Sequence, residues 1–145
     1  MTIKQDFTFF HSTPIQIRFN DFDTLQHVNN SVYQNYFDLA RTSYINLVLE
    51  EKMKWDIRGL VLKKVTLEFI RPILMDDKIE VKTKIHKLGN KSLGMYQQID
   101  CVESGETKAV CESVMVSFCE SADNPCPISE VWRNKIINFE KDLDF

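Results

Sequence analysis

The chain has 145 residues, a formal net charge of −3, 43% hydrophobic and 27% charged residues. That length fits one domain over residues 1–145, long enough to bury about 68–70% of its unfolded surface without disulfide staples. The composition is that of a folded protein rather than a disordered one, and the mild acidity excludes a dedicated nucleic-acid binder, which would carry a basic excess.

No apolar run reaches the ~18 residues of a membrane-spanning helix, and the N-terminal Met1-Thr2-Ile3-Lys4-Gln5-Asp6 lacks the basic and apolar regions of a signal peptide. No membrane partner is expected. The four cysteines, Cys101, Cys111, Cys119 and Cys126, form no C-x-x-C pair. The first three sit in apolar, strand-like segments and read as small buried hydrophobes of a reducing compartment, so a cytoplasmic location is expected.

Phe7 to Phe19 is aromatic and β-branched, and Ile15-Gln16-Ile17-Arg18-Phe19 alternates with the period of a strand. It stops at the turn-forming Asn20-Asp21-Phe22-Asp23. A helix is predicted from about Ser31 to about Lys52, with Asn29 and Asn30 as N-cap candidates. Its apolar residues fill two adjacent stripes, Val32/Tyr36/Leu39/Ser43/Leu47 and Tyr33/Phe37/Ala40/Tyr44/Val48, so the helix should be largely enclosed.

Four strands follow: Leu60 to Ile70, Lys78 to Ile85, Ser92 to Val102 and Thr107 to Cys119. Lys78-Ile79-Glu80-Val81-Lys82-Thr83-Lys84-Ile85 alternates charged and apolar residues, the pattern of an antiparallel strand with one wet face. Glu103-Ser104-Gly105-Glu106 links the last two as a hairpin turn. Ser129 can cap a short final helix carrying Val131, Trp132, Ile136 and Phe139. Consecutive antiparallel strands with a segregated helix define an α+β fold, with the sheet wrapped round the long helix.

Chemistry concentrates in Asp21-Phe22-Asp23-Thr24-Leu25-Gln26-His27-Val28-Asn29-Asn30, between a strand end and a helix start. Unpaired N–H groups at a helix N-terminus can polarise a carbonyl, and a nearby carboxylate can attack an acyl group or activate water. The same aspartates equally suit turn and cap roles, and a histidine in a polar loop is commonly solvated. The sequence has no G-x-S-x-G elbow, Gly-rich phosphate loop or H-E-x-x-H motif, and the Asp/His spacing matches no closed metal-ligand set.

Arg18-Phe19-Asn20-Asp21-Phe22-Asp23, His27-Val28-Asn29-Asn30, Tyr33, Tyr36-Phe37 and Ala40-Arg41 closely resemble the signature of hotdog-fold thioesterases. The group is the 4-hydroxybenzoyl-CoA and acyl-CoA thioesterase-like family, in its subgroup with an H-V-N-N helix start. The likeness continues through Val65 to Pro72 and Asp76-Asp77-Lys78-Ile79. It implies a hotdog fold of about five antiparallel strands round one long helix, with a short C-terminal helix. It also implies hydrolysis of an acyl-CoA or acyl carrier protein thioester to a free acid and a thiol. By the same resemblance Asp23 is the catalytic carboxylate, as nucleophile or general base. Asn30 supplies the backbone N–H that polarises the thioester carbonyl, and Tyr33 and Tyr36 lie near the acyl pocket. Asp21 and His27 shape the loop, with His27 a candidate hydrogen-bonding partner.

Gln26 stands where the subgroup usually has glycine, a residue that permits positive φ and close substrate approach; its side chain is a candidate donor to the acyl carbonyl. No cofactor is expected, coenzyme A being part of the substrate. Its phosphates call for local basic surface, for which Lys78, Lys82, Lys84, Lys87 and Lys91 are candidates, with Lys63 and Lys64. Lys87 and Lys91, flanking the turn-prone Gly89-Asn90, are preferred as substrate contacts; the same lysines also suit a solvated face or the protection of an edge strand. The resemblance implies a homodimer, often paired again, with the site at the subunit interface. Two alternatives remain open: a non-catalytic acyl-CoA-binding hotdog domain, which Asp23 disfavours, and a hotdog dehydratase or hydratase.

Overall fold

The structure, a computed structural model, describes residues 2–50 and 58–145. In chain order it contains β1 (Ser12–Ile15), α1 (Tyr33–Val48), β2 (Arg58–Phe69), β3 (Ile79–Leu88), β4 (Ser92–Cys101), β5 (Thr107–Cys119) and α2 (Glu130–Phe139). The strands form one antiparallel sheet in the order β1-β3-β4-β5-β2, wrapped on the α1 side as the sequence predicts. The β4–β5 turn places Gly105 at φ 73°, where its N–H donates to the Cys101 carbonyl at 2.8 Å, a conformation that favours glycine.

Four expectations are corrected. The first strand is Ser12–Ile15 and ends where the expected alternation of Ile15–Phe19 begins, because its one neighbour among the described residues, β3, begins at Ile79 and that residue already pairs with Ile15. Beyond Ile15 no ladder partner is found among the described residues, and Phe19 is 83% exposed in a single 3-10 turn, Phe19–Asp21. Residues 2–9 instead cross the outer face of the sheet, where Phe7 and Phe9 pack round Tyr96, and the Gln5 N–H donates to its hydroxyl at 3.0 Å.

The helix starts with a 3-10 turn, Asn30–Val32, before α1 proper, and its predicted end at Lys52 lies outside the described residues. It buries Tyr33, Tyr36, Phe37, Ala40, Arg41, Tyr44, Ile45 and Val48, a single i, i+3, i+4 stripe. Leu39 and Leu47 are 55% and 59% exposed, since the sheet covers only one side of the helix. The helix is therefore half enclosed.

The wet face expected of β3 is not wet throughout. Lys84 is fully buried, because the chain after α2 folds across the β3 edge and delivers Glu140 and Asp142 to its ammonium. Finally, Cys119 and Cys126 form a disulfide, with Cα atoms 5.9 Å apart, well within the usual range. The chain doubles back after β5, as the Cys119 N–H donates to the Asn124 carbonyl and the Cys126 N–H to the Ser117 carbonyl. Only Cys101 and Cys111 are free and buried.

A polar band divides the core. Gln97 donates to the Phe37 carbonyl at 3.0 Å and to the Thr83 hydroxyl at 3.1 Å, and accepts from Arg41, which also pairs with Asp38. On one side lie Ile15, Val28, Tyr33, Tyr36, Phe37, Ile73 and Ile99. On the other, α2 seats Trp132 and Ile136 against Tyr44, Leu49, Leu93 and Met95, with Ser129 capping as predicted. The first half underlies the acidic loop.

Candidate active site

The Asp21–Asn30 segment is a tight hairpin loop running into a helix start. The Asp23 N–H donates to the His27 carbonyl at 2.9 Å, and the Gln26 N–H donates to the Asp23 carbonyl at 3.1 Å. Asp23 also turns its own side chain inward: Oδ1 accepts from the Leu25 N–H at 2.9 Å and the His27 N–H at 3.4 Å. One carboxylate oxygen thus organises the loop, and Oδ2 makes no hydrogen bond among the described residues.

Asp21 holds the loop together. Its Oδ2 accepts from the Arg18 N–H at 2.9 Å and the Tyr36 hydroxyl at 2.6 Å, and its carbonyl accepts from the Asn29 N–H. Burial, reinforced by the Asp21 charge, pushes the Tyr36 phenol far above its ordinary value, so Tyr36 stays protonated and donates. Tyr36 therefore anchors the loop and does not line the cavity beside it.

At the helix start the Asn29 side chain accepts from the Ser31 N–H at 3.1 Å, while the Val32 N–H donates to the Asn29 carbonyl. With the Asn29 N–H held by Asp21, the Asn30 N–H is left without a hydrogen bond among the described residues. A donor of this kind, at the mouth of a helix, is suited to an acyl oxygen.

Asp23, His27 and Asn30 share one cavity of about 380 Å³ with Leu25, Val28, Asn29, Tyr33 and the segment Phe69–Pro72. Tyr33 closes its floor: the ring packs edge-on against Phe69 at 5.0 Å, and the hydroxyl accepts from the Ile73 N–H at 3.3 Å. Burial raises the Tyr33 phenol above its usual value, which keeps it neutral. His27 lines the cavity, its ring makes no hydrogen bond among the described residues, and its backbone bridges to Leu74. Phe69, Ile70, Arg71 and Pro72 belong to the sequence likeness through Val65 to Pro72 but carry no site role in it. They lie at and just beyond the end of β2, and the Val28 N–H, which donates to the Ile73 carbonyl at 3.0 Å, ties that segment to the loop.

Gln26 adopts φ 62°, the conformation for which glycine is usually chosen. It lines a second depression of about 350 Å³ with Leu25, His27, Leu74, Met75, Asp76 and Asp77, not the cavity that holds Asn30. Replacing Gln26 with Gly removes the left-handed penalty and is expected to stabilise the protein by about 1 kcal/mol in urea denaturation. A variant no more stable than wild type would show that the Gln side chain compensates for its backbone.

The lysines fall elsewhere. Lys78, Lys82 and Lys84 pair with Glu103, Asp100 and Glu140, respectively. Lys87 and Lys91 are exposed but lie at the opposite end of the sheet, where the Lys91 carbonyl accepts from the Ser117 N–H. Phe69, at the cavity, pairs with Ala109, and Ser92 pairs with Val116. Those seven steps along β5 amount to roughly 23 Å. Within one chain these two lysines do not meet the Asp23 loop. Among the described residues no three His, Cys, Asp or Glu side chains are placed to hold a metal ion, and no helix is long and apolar enough to cross a membrane.

Known proteins similar to this chain are thioesterases in several cases. The long-chain acyl-CoA thioesterase FadM of Escherichia coli K12 is 24% identical over 110 residues, 74% of this chain and 80% of its own length. The acyl-CoA thioester hydrolase YbgC of Escherichia coli O6:H1 is 25% identical over 88 residues, 59% of this chain and 66% of its own. A thioesterase of Thermus thermophilus, solved with coenzyme A and Zn, superposes with TM-score 0.75 at 29% identity over 90% of this chain and 94% of that one. The PA5185 protein of Pseudomonas aeruginosa PAO1, 22% identical, shares the fold with TM-score 0.81 over 90% and 92% of the two chains. The model of the thioesterase-like superfamily matches residues 17–136, which include the whole acidic loop, both cavity walls and the five-stranded hotdog sheet except β1, and the chain belongs to that superfamily.

Proposed function

We propose that this chain hydrolyses acyl-CoA thioesters at the cavity between the Asp23 loop and the end of β2. The observation that carries the reading is the pairing of a carboxylate oxygen, Asp23 Oδ2, with an unspent helix-start N–H, Asn30, on one cavity wall. A thioester is an activated acyl group, so these two elements suffice without a serine triad. The Asn30 N–H takes the developing oxyanion. Asp23 then either accepts the proton of an attacking water or attacks the carbonyl carbon itself, forming an anhydride that water opens. In both routes the C–S bond breaks, the thiolate leaves and takes up a proton, and the acyl group departs as the acid.

The acyl group lies against Leu25, Val28, Tyr33, Phe69 and Ile70, an apolar wall that accepts aliphatic or aromatic chains. We further propose a homodimer joined along β2, the twelve-residue edge strand that pairs with β5 alone among the described residues. Long open edges of this kind are paired or covered in native proteins, and the end of β2 borders the cavity.

A panel of short, long and aromatic acyl-CoAs, assayed by thiol release, tests the reaction. Turnover of at least one member above the spontaneous rate is expected. Tight binding of several members with turnover of none would replace hydrolysis by carriage. Sedimentation of the same sample should give the mass of two chains, and a monomer active at the same specific rate would remove the dimer from the scheme.

A further inference from the structure

The carrier end of the substrate is anionic, and among the described residues the cavity has one Lys or Arg side chain in its lining, Arg71. Its setting is unlike that of the other cations nearby. Lys108 is buried and held by Asp77 at 3.2 Å and Glu106 at 2.9 Å. Burial alone would lower the Lys108 ammonium, but the two carboxylates outweigh it and hold the value above normal, so that charge is already spent. Arg71 is 64% exposed at its side chain and gives only Nε to Glu106, at 3.3 Å. Its two terminal nitrogens make no hydrogen bond among the described residues.

The backbone beneath it is fixed. The Ile70 and Arg71 N–H groups both donate to the Lys108 carbonyl, at 2.9 and 3.0 Å, and Pro72 follows. Glu106 is itself pinned by Lys108, so Nε is steadied from behind while the fork of terminal nitrogens stays open. A planar guanidinium with two free nitrogens is matched to phosphate oxygens, which it can hold in a bidentate pair.

We propose that Arg71 is the phosphate contact of this site, taking a phosphate of the carrier as it leaves the cavity, in place of Lys87 and Lys91. The assignment rests on the thioesterase reading above for its substrate but makes a separate demand. Coenzyme A carries the 4′-phosphate of its pantetheine arm and the nucleotide phosphates, whereas an acyl carrier protein presents only the first. The shared chemistry is a phosphate, and truncated carriers separate the sources.

The test compares wild type, Arg71→Gln and Arg71→Lys, each checked for an unchanged thermal midpoint, on one acyl group carried by CoA, phosphopantetheine, pantetheine and N-acetylcysteamine. With Arg71→Gln, KM for the CoA ester should rise about tenfold, with kcat within twofold of wild type. KM for the two phosphate-free esters should not move, and Arg71→Lys should restore most of the loss. A rise shared by the phosphopantetheine ester assigns the 4′-phosphate, and one confined to CoA assigns the nucleotide. Equal effects on phosphate-free and phosphorylated esters, or no effect on either, overturn the proposal. Calorimetric binding of CoA and pantetheine to the same three proteins keeps the question independent of turnover. If no ester is hydrolysed but CoA alone weakens in Arg71→Gln, the reaction fails and the contact stands; if hydrolysis proceeds and CoA binding is indifferent to Arg71, the contact fails and the reaction stands.

Discussion

Asp23→Asn should lower kcat for an acyl-CoA by about 10²–10⁴-fold, the range expected when a positioned base is removed, and should leave the fold intact. The substitution is informative because of how the two carboxylate oxygens are divided. Oδ1 accepts from the Leu25 and His27 N–H groups and is what the loop needs. An amide oxygen can make the same bonds, so Asn keeps the loop while removing the ionised oxygen that would attack or deprotonate. Asp23→Ala would remove both and cost about 1 kcal/mol of local stability, confusing the two effects. The measurement is single-turnover thiol release at equal folded concentration, with urea denaturation alongside. Rates indistinguishable from wild type would move the chemistry away from Asp23. Asp21→Asn is the control that separates neighbours: its carboxylate receives Tyr36 and Arg18, so its loss should appear in stability first.

The sequence patterns foretold the elements better than their surroundings. Alternation located β3 and strand-like apolar runs located β2, β4 and β5, and Thr107–Cys119 matches its expected bounds. Period and composition cannot report what lies across an edge or beyond a face. Leu39 and Leu47 have the right period for a buried stripe, yet only one side of α1 meets the sheet. Lys84 falls at a charged position in a clean alternation, but Glu140, fifty-six residues later, returns to cover it. The site divides in the same way. Asp23, His27 and Asn30 are close together in sequence, so a motif could display them. Phe69 to Pro72 stood in the sequence as part of the family likeness, without a site role, because only the long-range backbone contacts of Val28 with Ile73 and His27 with Leu74 bring them to the loop. Cys119 and Cys126 had no spacing motif to mark them; the fold-back through Asn124 is what joins them.

The group around Glu140 carries the second large expected effect. Lys84 and Glu140 are both fully buried and sit 2.9 Å apart. Glu140 Oε1 accepts from Lys84, and Oε2 accepts from the Tyr44 hydroxyl at 2.6 Å and the Ile85 N–H at 3.0 Å. Burial, then the Glu140 charge, pushes the Tyr44 phenol far above its normal range, which fixes it as the donor. Lys84 has a second carboxylate, Asp142 at 2.8 Å, and lies over the Phe10 ring at 5.0 Å. The two partners are therefore unequal. Lys84→Met strands a buried carboxylate whose remaining donors are neutral, and should cost about 3–5 kcal/mol. Glu140→Gln leaves Lys84 still paired with Asp142, and Tyr44 still has an oxygen to donate to, so its loss should be clearly smaller. Lys84→Met combined with Glu140→Gln removes both charges and should recover most of the single-variant loss, because the desolvation cost of the pair vanishes with its attraction. Urea denaturation of the four proteins measures this ranking. Equal losses for the two single variants, or a double variant as unstable as their sum, would mean that Asp142 does not share the charge and that the link between the C-terminal segment and β3 depends on packing instead.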